Sequence, residues 1–132
     1  MADGDAQGDS MSPLDRLAKL GERLGFQVER EVRTEVGRLD QVWWHSLLLR
    51  VESLPQRFPV VAFEVESGWR TRKHIKGDVF NLAAFNACLG VVVICGTDPR
   101  VQQLRAAAKR FIQALGLGER VCVWSDEELI GI

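Results

Sequence analysis

The chain has no apolar run approaching the roughly 18 residues that a membrane-spanning helix requires. Its start lacks the basic residues followed by a hydrophobic stretch that mark a secretory signal. An intracellular, cytoplasmic protein without membrane attachment is therefore expected. Cysteine is scarce: Cys88, Cys95 and Cys122 are the three present, each isolated in apolar sequence. An odd number of separated thiols makes a disulfide framework a poor expectation, and their spacing fits no zinc motif. All three are expected to be reduced core residues. Histidine is scarcer still, with His45 and His74 the two in the chain. They are far apart and lack ligand spacing, which argues against a zinc site. No glycine-rich loop follows a predicted strand, so the usual nucleotide-phosphate cradle is missing. A surplus of positive charge is absent too, since the net charge of −1 argues against indiscriminate coating of nucleic acid.

What is present suits one ordinary globular domain. With 132 residues, 46% of them hydrophobic and 27% charged, the chain can bury a single core. Residues 1–11 are small, acidic and aperiodic, which predicts a disordered leader ahead of one domain over residues 12–132. Ser12 before Pro13 reads as an N-cap with proline at the first helical position. Leu14, Leu17, Ala18, Gly21 and Leu24 then give that helix one apolar stripe, ending at Gly25. Strand-like segments follow at Gln27–Thr34, Leu39–Val51 and Val60–Glu66, with turns near Gly37 and Pro55. Ile75, Val79, Leu82, Phe85 and Leu89 recur at helical spacing up to a stop at Gly90, and Val91–Cys95 reads as a buried strand. Asp98 and Pro99 open a further helix, on which Arg100, Gln103, Arg105, Lys109 and Arg110 form the wet side. Val121–Trp124 makes a last strand, and Ser125 with Glu128 resembles a capping box opening a short terminal helix. The predicted fold is α/β in the order αβββαβαβ(α), a mixed β-sheet flanked by helices. Its first three strands form an antiparallel meander and its later strands pair in parallel.

The chemistry-bearing residues gather around the third strand. Glu64-Val65-Glu66 ends the apolar run Phe58-Pro59-Val60-Val61-Ala62-Phe63. Strand side chains alternate, so Glu64 and Glu66 share one face and Val65 takes the other. Asp40, on the neighbouring predicted strand, adds a third carboxylate. Negative groups held this close are costly unless a cation lies among them, so Asp40, Glu64 and Glu66 read as a divalent-metal site. Oxygen-only ligands suit Mg²⁺, or Mn²⁺ in its place. Arg70, Arg72, Lys73 and Lys76, with His74 among them, follow directly. Basic groups beside carboxylates suit a polyanionic substrate bridging a metal, with salt-sensitive binding.

Gly37-Arg38-Leu39-Asp40 and Phe63-Glu64-Val65-Glu66, followed by Lys76-Gly77-Asp78 and Asn81-Leu82, carry a resemblance to a known family. Over residues 14–124 the chain resembles the restriction-endonuclease-like PD-(D/E)XK nuclease superfamily. The resemblance implies a restriction-endonuclease-like core in which Asp40 and Glu64 bind Mg²⁺ with the backbone carbonyl of Val65. It also implies metal-assisted hydrolysis of DNA phosphodiesters. The departure is Glu66, where the superfamily most often has lysine, although some of its restriction enzymes use glutamate there. Two roles are open for Glu66, as general base or as ligand to a second metal. Alternatively Lys73 or Lys76 supplies the ammonium, Lys76 being the better placed, one helical turn before Phe80. Glu22 is a further metal candidate, because related enzymes place a first-helix glutamate near the ion. Trp69 is the tryptophan to test for stacking on bases. The expected function is a Mg²⁺-dependent DNA endonuclease that cuts by structure, acts as a homodimer or is recruited by a partner protein. The rival is a catalytically silent nuclease-like module that binds nucleic acid or a protein partner, favoured by glutamate at the lysine position.

Overall fold

The computed structural model describes residues 11–47, 52–54 and 56–130. Of the expected leader only Met11 falls within them, and residues 48–51 and the Pro55 turn lie outside. The elements are α1 (Pro13–Arg23), β1 (Gln27–Thr34), β2 (Gly37–Ser46), β3 (Arg57–Ser67), α2 (Arg72–Phe85), β4 (Leu89–Cys95), α3 (Pro99–Ala114), β5 (Val121–Ser125) and α4 (Asp126–Ile130). No described helix is long and apolar enough to cross a membrane.

Local chemistry explains most of the boundaries. Ser12 Oγ accepts the Asp15 N–H at 3.1 Å and Pro13 opens α1. Asp98 caps α3 in the same way, accepting from Val101 N at 3.0 Å with Pro99 behind it. Ser125 and Glu128 exchange the bonds of a capping box at the start of α4. Thr34 Oγ1 closes the β1–β2 turn, donating to Gly37 O at 2.7 Å and accepting the Gly37 N–H at 3.1 Å. Boundaries differ from expectation at the end of β2, at Ser46 instead of Val51, at the start of β3, at Arg57 instead of Val60, and at the end of α2. Helix α2 ends at Asn86, which takes the left-handed conformation at φ 63 and returns its N–H to Leu82 O. The expected stop, Gly90, lies instead in β4, where its missing Cβ leaves room for Leu82 to pack 3.0 Å from that position.

The sheet has five strands in the order β1-β2-β3-β4-β5, antiparallel across β1, β2 and β3 and parallel across β3, β4 and β5. Pro59 lies inside β3, opposite Trp44. A register shift at Trp43/Trp44 accommodates a residue that has no N–H to give the ladder. On edge strand β1, Glu31 has φ 53 and drops out of the ladder between the Arg30–Gln41 and Val32–Leu39 pairs.

Alternation divides the core between two faces. Trp43, Phe63, Val91 and Val93 pack with Leu17 of α1 and Leu129 of α4. On the other face Val42, Ala62, Val92 and Ile94 pack beneath α2 and α3, against Ile75, Val79, Leu104 and Ile112. Gly21 lets α1 lie flat on β2, since a Cβ there would sit 2.6 Å from Trp43 Nε1. Gln41, fully buried, pins the same contact: its Nε2 donates to Leu14 O and its Oε1 accepts from Trp43 Nε1, both at 2.9 Å.

Two side chains depart from their expected environments. Arg105 is not on the wet side of α3. It donates to Ile94 O at 2.6 Å and Gly96 O at 2.7 Å and pairs with Asp126, tying off the carbonyl end of β4. The carbonyls at that strand end have no further strand residue to pair with, and an arginine fork fills the gap. Cys88 is exposed rather than in the core, because it falls in the short link after α2, whereas Cys95 and Cys122 are half-buried.

Candidate metal centre

Asp40 and Glu64 meet because the antiparallel register that pairs Gln41 with Phe63 continues one step further. The contact is reciprocal. Asp40 N donates to Glu64 Oε1 at 3.0 Å, and Val65 N donates to Asp40 Oδ2 at 2.7 Å. Each acid thus spends one oxygen on its neighbour's backbone and keeps the other. Glu66, two residues along β3, lies on the same face, beneath α2. From α2 a fourth carboxyl, Asp78, descends between Ile75 and Val79, its neighbours in the buried stripe of that helix. Glu64 and Asp78 are each 5% exposed and Glu66 9% exposed. The group lies toward the carboxyl end of β3, which pairs in parallel with β4, the usual place for a ligand in an open α/β sheet.

So many acids in so little water cannot all ionise. Burial pushes the Glu64 carboxyl up to about 9, reinforced by Asp78 and then Asp40, while the Asp40 N–H pulls the other way. Burial also raises Asp78, with the contact to Glu64 opposing it. Glu64 therefore carries the proton at neutral pH and donates it toward the Asp78 carboxylate. Glu66 rises to about 7, through burial first and Asp78 second, moderated by His74 and Arg70. His74 Nε2 lies 2.8 Å from Glu66 Oε2 and Arg70 Nε lies 3.3 Å from the same oxygen. Even so, Glu66 Oε2 and Asp78 Oδ2 are buried without a hydrogen bond.

Glu66, His74 and Asp78 offer ligand atoms that all lie within 4.8 Å of one another, a group able to hold a metal ion. Neither His74 nor Asp78 was among the residues expected at a site, and His74 was read as lacking ligand spacing. The readable signal was their i, i+4 separation on a helix, which sets both on one side of α2.

The remaining expected residues are distributed as follows. Val65 touches the group through its N–H. Lys76 is exposed and holds its ammonium 5.2 Å above the Phe111 ring of α3, not among the leading charges that act on the acids. Glu22 is exposed on α1, which packs on the opposite face of the sheet. Lys73 is exposed at the start of α2. Arg70 and Arg72 join Arg100 and Gln103 around a cleft of about 310 Å³ beside the acids. Trp69, 85% exposed, stands on the loop between β3 and α2. That loop is held by Arg100, which donates to Gly68 O at 3.0 Å, and by close approach to α3, since a Cβ on Gly68 would fall 2.3 Å from Val101 Cγ2.

Comparison with protein families, with curated proteins and with solved structures finds no match to this chain.

Proposed function

We propose that this domain is a divalent-metal-dependent nuclease of the PD-(D/E)XK type, hydrolysing DNA phosphodiesters. The observation that carries the reading is the convergence of Asp40, Glu64, Glu66 and Asp78 on one sheet face, with a proton on Glu64 relieving part of their mutual repulsion. The donor set fits the ion the resemblance implies. Asp40 and Glu64 each have an oxygen not engaged with backbone, and hard oxygen ligands suit Mg²⁺ or Mn²⁺. Once bound, such an ion supplies Lewis-acid stabilisation of charge on the phosphate. The chain's own groups do the rest. Glu66, raised to about 7, is matched to proton transfer near neutral pH. Arg70, Arg72 and Arg100 line a cleft suited to backbone phosphates, and Trp69 offers a stacking surface for an unpaired base.

The test is incubation with supercoiled plasmid, single strands and branched DNA in Mg²⁺ or Mn²⁺. Nicking that disappears with EDTA, and in Asp40→Ala and Asp40→Asn, is the expected result. Equal nicking by the variants would refute the assignment. A second reading, a nuclease-like module that binds nucleic acid or a protein without cutting, draws on Lys76. Its ammonium sits on Phe111, so no lysine is among the leading partners of the acids where the motif calls for one. Metal-independent DNA binding without any product would favour it.

A further inference from the structure

We propose that Glu66, His74 and Asp78 form a second cation position, selective for a borderline transition ion of the Zn²⁺ class over Mg²⁺. It lies beside the Asp40–Glu64 pair but goes beyond the nuclease reading, because it rests on its own geometry whether or not the domain cuts DNA. His74 Nε2 is 2.8 Å from Glu66 Oε2 and 3.9 Å from Asp78 Oδ1. Donors about 2.0–2.2 Å from a shared ion sit within about 4.4 Å of one another. The present spread of up to 4.8 Å therefore needs only a small closure.

A separate observation points to a bound cation. Glu66 Oε2 and Asp78 Oδ2 are buried with no hydrogen bond, the first met by the ion-pair approaches of His74 and Arg70 alone. A positive ion compensates both oxygens at once. The ligands are carried on a strand and a helix. Glu66 pairs with Ile94 in the sheet, and the first turn of α2 is fixed by Thr71 Oγ1, which accepts the His74 N–H at 3.3 Å. The histidine side chain is 43% exposed, which leaves a route for ion exchange and room for water or a phosphate oxygen. An imidazole nitrogen beside two carboxylates favours Zn²⁺ and its neighbours, whereas Mg²⁺ prefers oxygen throughout. Binding also places the ion against the oxygen that Arg70 now approaches, freeing that guanidinium for an anion.

The experiment uses the full chain and its two histidines, His74 at the site and His45 on β2 as an internal control. Zn²⁺ is titrated while the imidazole ¹⁵N resonances are followed, with and without excess Mg²⁺. His74 Nε2 should shift saturably at one equivalent, with His45 unmoved and Mg²⁺ failing to compete. The His74→Gln variant, at an exposed position and checked for folding by circular dichroism, should lose at least about a hundredfold in Zn²⁺ affinity. Loss of a supporting partner alone typically costs 10–100-fold. Its Mg²⁺ affinity should stay as in the parent. An unresponsive His74, equal shifts at both histidines, or Zn²⁺ binding by His74→Gln as tight as the parent's would each overturn the proposal. Cleavage does not enter the readout, so a failed nuclease assay leaves this test intact.

Discussion

Replacing Glu64 with glutamine should make the metal-free protein more stable at neutral and alkaline pH. Folded, Glu64 holds its proton up to about 9, whereas the unfolded chain releases it at the ordinary value of 4.5. Between those limits the folded state binds more protons than the unfolded state, so stability falls as pH rises. At pH 7 the gap from 4.5 corresponds to about 3 kcal/mol at 1.36 kcal/mol per unit. Below pH 5 the loss is near zero, and above pH 9 it stops growing. Glutamine reproduces the protonated state: its carbonyl accepts the Asp40 N–H and its amide donates toward Asp78, with no proton to lose. The assay is thermal unfolding by circular dichroism in EDTA from pH 5 to 9. At pH 5 the two proteins should melt together. By pH 7 the variant should melt about 10 °C higher, given about 2–6 °C per kcal/mol for a domain of this size. Mg²⁺ should then raise the parent and leave the variant unmoved, since ligand binding stabilises only a site that can take the ion. A parent melting temperature that is flat across the range, or a variant destabilised equally at every pH, would refute the protonated-pair account.

Other consequences are open to simpler measurements. Gln41→Ala orphans Leu14 O and Trp43 Nε1 in the core, and urea unfolding should report a loss of about 2–4 kcal/mol; less than 1 kcal/mol, on the order of a surface change, would mean that α1 is held by packing alone. Trp69→Ala should leave stability unchanged, because the ring is 85% exposed, yet weaken single-strand binding by about 1–3 kcal/mol with the same salt slope. Arg72→Gln should instead lower that slope by about one, as measured by fluorescence anisotropy across salt concentrations. Gly68→Ala must displace Val101 or the loop, so it should weaken DNA binding with little change in the far-ultraviolet spectrum.

The parts of this fold that could be read from the chain are those fixed by neighbours in sequence. Ser12-Pro13, Asp98-Pro99 and Ser125 with Glu128 announce helix starts because the capping bond spans three residues. The placement of Glu64 and Glu66 on one face was legible for a similar reason, since strand alternation leaves no choice. Asp78 was hidden because nothing local says that α2 lies over the end of β3. An acid between Ile75 and Val79 reads as the wet border of a helix, and only tertiary packing turns it inward. The position of Lys76 depends equally on packing. It sits one residue round the helix from buried Ile75, and that rotation carries it toward Phe111 on α3. The end of α2 was masked by apolar spacing that ran on through Leu89, while Asn86, able to adopt a left-handed turn, made the break.

The left-handed backbone at Glu31 bears on how this molecule meets copies of itself. A straight outer strand invites a second chain to zip onto it, the route by which many sheets lengthen into aggregates. Here β1, one of the two edge strands, carries a left-handed residue that drops out of the ladder midway and alternates Glu29, Arg30, Glu31 and Arg33 along its length. An incoming strand would find its ladder interrupted and its side chains facing charge. Assembly by strand exchange is thereby discouraged at β1, which leaves the β5 edge, the helix faces and the loops for any two-fold association.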